Sequence, residues 1–285
     1  MGLEPARNMK DLEKIQIVNY MLLDEMDRIC KKAQIPYFLF AGTLLGSVRE
    51  QKFIPWDDDA DVGMLREDFE RFVRVAKEEV REPFAFVMPE EVNGFFDMIP
   101  KLVYTKSSLH NQNKEDVYYG EYHECISLDI YILDHAAKNR LSFAIQVFRL
   151  KMIYGMMMRE RFGIDLNKYS FLERNQVRVL RVLGKPFSID KLRKRYQKIC
   201  DGHQNSDVLF TSNSVLQKID VRFEKEWFSE CAEGKLGDRT YSIPAGYDGI
   251  LRNRYGDYMV PKKENFMVKH RTKNQVRAWV DGKEL

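Results

Sequence analysis

Cysteine is scarce in this chain. The four residues, Cys30, Cys125, Cys200 and Cys231, lie far apart in 285 and form no Cys-x-x-Cys pair. Neither a zinc site nor a disulfide framework is expected of that spacing, which fits a reducing cytoplasm. No apolar run reaches the length of a membrane span. Glu4, Arg7, Lys10, Asp11, Glu13 and Lys14 interrupt the first segment, so no signal peptide is expected. Internal repeats and low-complexity tracts are absent. The net charge of +3 makes no sequence-wide case for a nucleic-acid partner, and the basic run Lys191–Lys198 reads as a solvated helix face. With 44% hydrophobic and 31% charged residues, a soluble globular protein with a full core is expected.

What the sequence does have is a concentration of carboxylates where a core would exclude them. Tyr37 to Glu67 reads YFLFAGTLLGSVREQKFIPWDDDADVGMLRE. In an extended strand Asp57, Asp59 and Asp61 share one face, while Asp58, Ala60 and Val62 face the other way. A row of like charges repels itself, and a divalent cation relieves the repulsion most directly. Hard oxygen ligands favour magnesium, manganese or calcium over zinc. The preceding Phe38-Leu39-Phe40 run predicts a buried strand turning at Gly42 into a short helix. Such a turn presents backbone N–H groups and the Thr43 hydroxyl near the carboxylates, a place that can hold phosphate. The aspartate run would also suit a solvated acidic loop or a structural calcium site, but the spaced ligands, central glycine and later glutamate of an EF-hand are missing.

Elsewhere, apolar residues at three- and four-residue spacing from Leu12 to Ile29 predict a helix over 9–33, stopped by Pro36. A second helix is predicted over Arg66–Val80. Strands are predicted at Phe84–Met88 and within Asp97–Lys106, where Pro100 places a bend or an edge. Ile126, Leu128, Ile130 and Ile132 alternate with Ser127, Asp129 and Tyr131, the pattern of a half-buried strand with Asp129 on its polar face. Lys101 lies where it could reach a phosphate, and Asp134 reads as a cap or turn residue. The segment Leu141–Met158 is apolar on more than one side, which favours burial between layers; a membrane-surface role is the sharper alternative. Helices continue from 159 to 200, with a break at Gly184-Lys185-Pro186-Phe187 and a cap at Ser188.

The strand, glycine turn and Asp-x-Asp strand resemble the nucleotidyltransferase superfamily typified by DNA polymerase beta. The longer wording, GTLLGSVR, then FIPWDDDADVGM, then REDFERF, resembles the LicD family of phosphocholine and related phosphotransferases. A second family-like stretch runs from Tyr241 through Arg254-Tyr255-Gly256-Asp257-Tyr258-Met259, with Pro261 and His270 after it; Lys262 breaks the family's proline pair. The resemblance implies an α+β fold: a nucleotidyltransferase-like mixed sheet carrying a carboxylate triad, with flanking helices. Residues 1–135 would be the catalytic core, and 136–285 a mainly helical region completing the substrate cleft.

It further implies a CDP-alcohol donor, CDP-choline first, and a hydroxyl acceptor on a cell-surface glycan or its lipid-linked precursor. Asp59, Asp61 and Asp129 would be catalytic; Asp57, Asp59, Asp61 and Asp129 would hold Mg2+ or Mn2+. Gly42, Thr43, Gly46, Ser47, Arg49 and Lys101 would contact the donor. The cytoplasm is the expected location, with contact at the inner face of the membrane left open. The rival expectations are nucleotidyl transfer from a nucleoside triphosphate to a small acceptor, and a non-catalytic nucleotide- or glycan-binding protein.

Overall fold

The structure is a computed structural model that describes residues 5–215, 218–261 and 276–285. Helix α1 spans Pro5–Ala33, and its periodic residues Ile15, Val18, Leu22, Met26 and Ile29 are fully buried. Lys31 and Lys32 occupy its last turn, where the helix dipole favours cations. The two-residue strand β1, Phe38–Leu39, leads into helix α2, Ala41–Arg49. Strand β2 is Ala60–Leu65, followed directly by helix α3, Arg66–Glu79. Strands β3, Phe84–Val87, and β4, Lys101–Tyr104, follow, the latter starting right after Pro100, whose missing N–H suits that boundary. Next come β5, Ser107–Ser108, the short helix α4, Lys114–Tyr119, and the ten-residue strand β6, Ile126–His135.

Strand β6 organises the sheet. It runs parallel to β2 and antiparallel to β4, in the order β1-β2-β6-β4-β3. One face carries Val62, Met64, Leu102, Leu128, Ile130 and Phe86. Helix α3 covers it, with Phe72 edge-on to Phe86 at 5.4 Å. The other face carries Asp61, Gly63, Asp129 and Tyr131. There Phe40 packs on Tyr131 at 5.5 Å, and a Cβ added to Gly63 would stand 3.3 Å from the Phe40 ring.

Helices α5, Arg140–Met157, α6, Phe171–Gly184, and α7, Ile189–Cys200, form the next layer. Asn139, Ser170 and Ser188 cap them by accepting first-turn N–H groups. α5 and α6 meet closely: a Cβ on Gly155 would stand 2.4 Å from Leu180 Cδ1. Their second core joins Phe143, Val147, Leu150 and Tyr154 to Leu192, Tyr196 and Phe210. Burial of α5 on more than one side is corrected here. Leu141 is 71% and Phe148 60% exposed, because α6 and α7 cover only one side of the helix.

Strand β7, Val208–Thr211, then returns to pair with the C-terminal part of β6, and β8, Phe223–Glu224, pairs with β7. Chain from both sides of residue 136 therefore shares one sheet. The rest comprises a hairpin of β9, Cys231–Leu236, and β10, Arg239–Pro244; helix α8, Tyr247–Tyr255; and strands β11, Arg277–Val280, and β12, Lys283–Glu284. β11 adds to β5. Among its described residues the C-terminal half thus combines helices α5–α8 and four short 3-10 helices with six short strands. Among the described residues no helix is long and apolar enough to cross a membrane.

Candidate active site

Strand pairing makes the centre of the site. Asp61 of β2 stands opposite Asp129 of β6, and Asp129 stands opposite Lys101 of β4. Alternation then puts three ionisable side chains side by side on one sheet face. The Lys101 ammonium is ion-paired with Asp129 Oδ1. Asp61 is buried. Burial, then the fields of Asp59, Asp129 and Asp57, raise its carboxyl well above the usual range.

The rest of the aspartate row departs from the expected pleat. β2 begins at Ala60, so Asp57, Asp58 and Asp59 lie in the irregular lead-in and only Asp61 is in the strand. The row still converges, because a tight turn folds the lead-in over α2: Asp57 N–H donates to Ile54 O at 2.9 Å. From α1, Gln16 Nε2 donates to Asp57 O at 3.0 Å and Ile54 O at 3.2 Å. The Asp57 carboxylate ends up against Gly42, where an added Cβ would stand 2.6 Å from its Oδ2. Burial, with Asp59 and Asp58 beside it, pushes Asp57 up to about 9.

Asp57 Oδ2, Asp58 Oδ2 and Asp61 Oδ1 are buried with no hydrogen-bond partner. Orphaned carboxylate oxygens, with no sulfur or imidazole among them, are the donor type that a hard divalent cation takes. Among the described residues, the group whose ligand atoms lie within 4.8 Å of one another is a different one, His110, Asp116 and Glu124. Asp116 is already engaged there, accepting from Asn113 N–H at 2.7 Å as part of the α4 cap and lying 2.6 Å from His123 Nδ1.

Helix α2 does not form the open cradle the sequence suggests. Thr43 Oγ1 accepts the Asp61 N–H at 2.8 Å, tying the first turn to β2. Ser47 Oγ donates to Lys235 O at 2.9 Å, and a Cβ on Gly46 would stand 2.7 Å from Lys52 O. Arg49 donates to Glu50 Oε1 at 2.8 Å and Tyr258 O at 3.0 Å. Ser47 and Arg49 thus have hydrogen-bond partners in the protein, and Gly46 is packed against the backbone at Lys52, where phosphate contacts were expected. Their packing joins α2 to the C-terminal hairpin and the chain after α8. Gly42 and Thr43 remain beside the carboxylates, with Asp57 in the space above Gly42. Asp134 is likewise more than a turn residue: Arg66 grips it bidentately, at 2.9 and 2.5 Å.

A family model described as "LicD/FKTN/FKRP, nucleotidyltransferase domain" matches residues 34–139, the stretch that holds Gly42, the aspartate row, Lys101 and Asp129. Residues 34–139 thus match the nucleotidyltransferase domain of the LicD family. The chain is 26% identical over 278 residues to a Haemophilus influenzae protein named lipopolysaccharide cholinephosphotransferase LicD, covering 91% of this chain and 96% of the relative. The domain match and this relative support a transferase. An uncharacterised Rickettsia typhi protein is 40% identical over 63 residues, 22% of this chain and 20% of the relative. One from Rickettsia prowazekii is 29% identical over 131 residues, 39% of this chain and 45% of the relative.

The site also contains residues to which the sequence alone assigned no role. Helix α8 delivers Arg254, 7% exposed, with its guanidinium carbon 5.5 Å from the Phe40 ring centroid. Its Nη1 is buried without a partner, and its charge pulls against the upward shift of Asp61. Tyr255 is half-buried beside it, its phenol raised by desolvation and by Asp61 and Asp57. The Lys218 ammonium donates to Arg254 O and sits 5.0 Å from the Tyr255 ring centroid. The available signal was an Arg-Tyr pair directly before the Gly-Asp-Tyr-Met wording. His270 lies outside the described residues.

Proposed function

We propose that the protein transfers a phospho-alcohol group, phosphocholine first, from a CDP-linked donor to a hydroxyl of a cell-surface glycan or its lipid-linked precursor, releasing CMP. The observation that carries this reading is the register of Asp61 against Asp129, with orphaned oxygens on Asp57, Asp58 and Asp61, inside the stretch that matches the LicD-family domain. The Haemophilus influenzae relative, aligned over nearly its whole length, supports phosphocholine as the group and lipopolysaccharide as an acceptor class.

Asp59 and Asp61 would hold Mg2+ or Mn2+, with Asp57 and Asp129 completing the ligands. When bound, that ion offsets the charge developing on the leaving phosphate oxygens. Arg254 lies where a guanidinium can meet phosphate oxygens that approach the carboxylates. Asp129 accepts the proton of the attacking hydroxyl, while Lys101 keeps its carboxylate oriented through their ion pair. The new bond joins the acceptor oxygen to the phosphorus bearing the alcohol. The bond that breaks leads to the CMP phosphate, which leaves with the electron pair.

A cavity of about 420 Å³ supports a cationic alcohol. Its lining includes Phe96, Tyr119 and Tyr122 with Glu91 and Glu121, and it reaches Lys101 and Ser127. Ser127 is two residues, about 7 Å, along β6 from Asp129. Aromatic faces with nearby carboxylates suit a quaternary ammonium. The test is CMP release from a panel of CDP-choline, CDP-ribitol and CDP-glycerol with divalent metal, alongside ATP. Release from CDP-choline is expected. Pyrophosphate from ATP and no CMP from any CDP-alcohol would establish the nucleotidyltransferase reaction in its place.

A further inference from the structure

We propose that the outer surface of α5 and α6 docks the protein on an anionic lipid surface. Two independent features of the same region carry this, and neither depends on the identity of the donor.

The first is charge. Residues 138–198 contain sixteen Lys and Arg against four Asp and Glu, in a chain whose total excess is only +3. The remainder is therefore net acidic, and the near-neutral total conceals a strongly basic segment. Two open grooves show where that charge gathers. One, of about 570 Å³, is lined by Arg159, Arg178, Arg181 and Lys185, with Glu160 the one acidic group and Val182 beside them. The other, of about 820 Å³, lies between α5 and α7, with Arg149, Arg195 and Lys198 around Ile145 and Ile153.

The second is exposed apolar surface. Leu141, Ile145 and Phe148 recur at four and three residues, forming one stripe along α5, and all three are exposed. Leu172, 79% exposed, Val179 and Leu183 form a similar stripe on α6. Monomeric soluble proteins seldom leave so many large apolar side chains on two adjacent helices. An aqueous face would not select them, and a protein partner would not need the surplus of cations around them. Apolar side chains with a basic surround are what an interface with acidic headgroups recognises: the side chains enter the acyl boundary and the cations stay at the phosphate level. No described helix can cross the membrane, so the contact is peripheral. A transferase held there would meet lipid-linked acceptors without their leaving the bilayer.

The experiment is sedimentation of the full chain with vesicles of phosphatidylcholine alone or mixed with phosphatidylglycerol. It is repeated for Leu141→Gln/Phe148→Gln and for Arg178→Glu/Arg181→Glu. These apolar targets are exposed and both arginines lie at a groove, so melting temperatures should hold. Binding is expected for the mixed vesicles only, weakening with added salt and about tenfold or more in each double variant. Three results overturn the proposal: no preference for anionic vesicles, double variants that bind as the parent does, or self-association in solution abolished by Leu141→Gln/Phe148→Gln. The last would assign the face to a second copy of the chain. CMP release measured on the same samples without vesicles keeps this test separate from that of the proposed reaction.

Discussion

The guanidinium of Arg254 lies over the ring of Phe40, 5.5 Å from its centroid, and Phe40 is the residue from which α2 starts. A residue from helix α8 is thereby fixed beside the Asp61 carboxylate of β2. Planar, always charged and carrying an unpartnered Nη1, it is suited to a bidentate grip on phosphate. Arg254→Gln is expected to lower kcat/KM for CMP release by about a hundredfold. Arg254→Lys should recover little of it, because an ammonium cannot reproduce the fork. Full rescue by lysine would reduce Arg254 to a counter-charge for Asp61.

Asp61→Asn and Asp129→Asn should each cost about a thousandfold or more in turnover. The metal-free fold should tolerate Asp61→Asn, since a buried carboxyl with like-charged neighbours is replaced by a neutral group. Steady-state assays and thermal melts in chelator check the two halves of this expectation.

The same crowding sets a pH dependence. Asp57, pushed up to about 9, and Asp61 both hold protons more tightly folded than unfolded. The native state binds the extra protons above the ordinary carboxylate range of about 4. Their contribution to metal-free stability is therefore full below that value and is lost as pH rises toward the folded value. Melting temperature in chelator should fall across this window more steeply than in Asp57→Asn. Saturating Mg2+ or Mn2+ should flatten the slope for the parent protein.

Gly42→Ala would drive a methyl group to within 2.6 Å of Asp57 Oδ2 unless the carboxylate moves. Mn2+ affinity, followed by electron paramagnetic resonance, should drop by about tenfold or more if Asp57 is a ligand. Ser47→Ala, by contrast, should cost about 1 kcal/mol of stability through its bond to Lys235 O. It should leave CMP release unchanged, which separates the two residues that the sequence grouped together.

Asp134→Ala should destabilise the fold by about 3 kcal/mol, because Arg66 is left half-buried without its bidentate partner. Urea unfolding measures this. Activity per folded molecule should survive, as Arg66 and Asp134 lie toward the far end of β6 from Asp129.

The sequence revealed the elements whose burial pattern is periodic. α1, α3, β6 and the placement of Asp61 and Asp129 on strands follow from spacing alone. The side chains of α2 were harder to read. Gly46, Ser47 and Arg49 look like a phosphate turn, yet Gly46 packs against the backbone at Lys52 while Ser47 and Arg49 donate to Lys235 and Tyr258, which lie far along the chain. Arg254 was obscured for the same reason: nothing local distinguishes an arginine that will lie over Phe40 from one on a surface helix. The apolar composition of α5 indicated an unusual helix but not which side would be covered, since that depends on where α6 and α7 pack.

Strand β6 receives β4 along its first part and β7 along its last, and β7 follows three helices in the chain. During synthesis, the late edge of β6 emerges from the ribosome long before Val208–Thr211 exist to close it. An open strand edge invites pairing with other nascent chains. The three intervening helices α5, α6 and α7 each carry their own N-terminal cap, so they can form from local contacts before β7 arrives to close that edge.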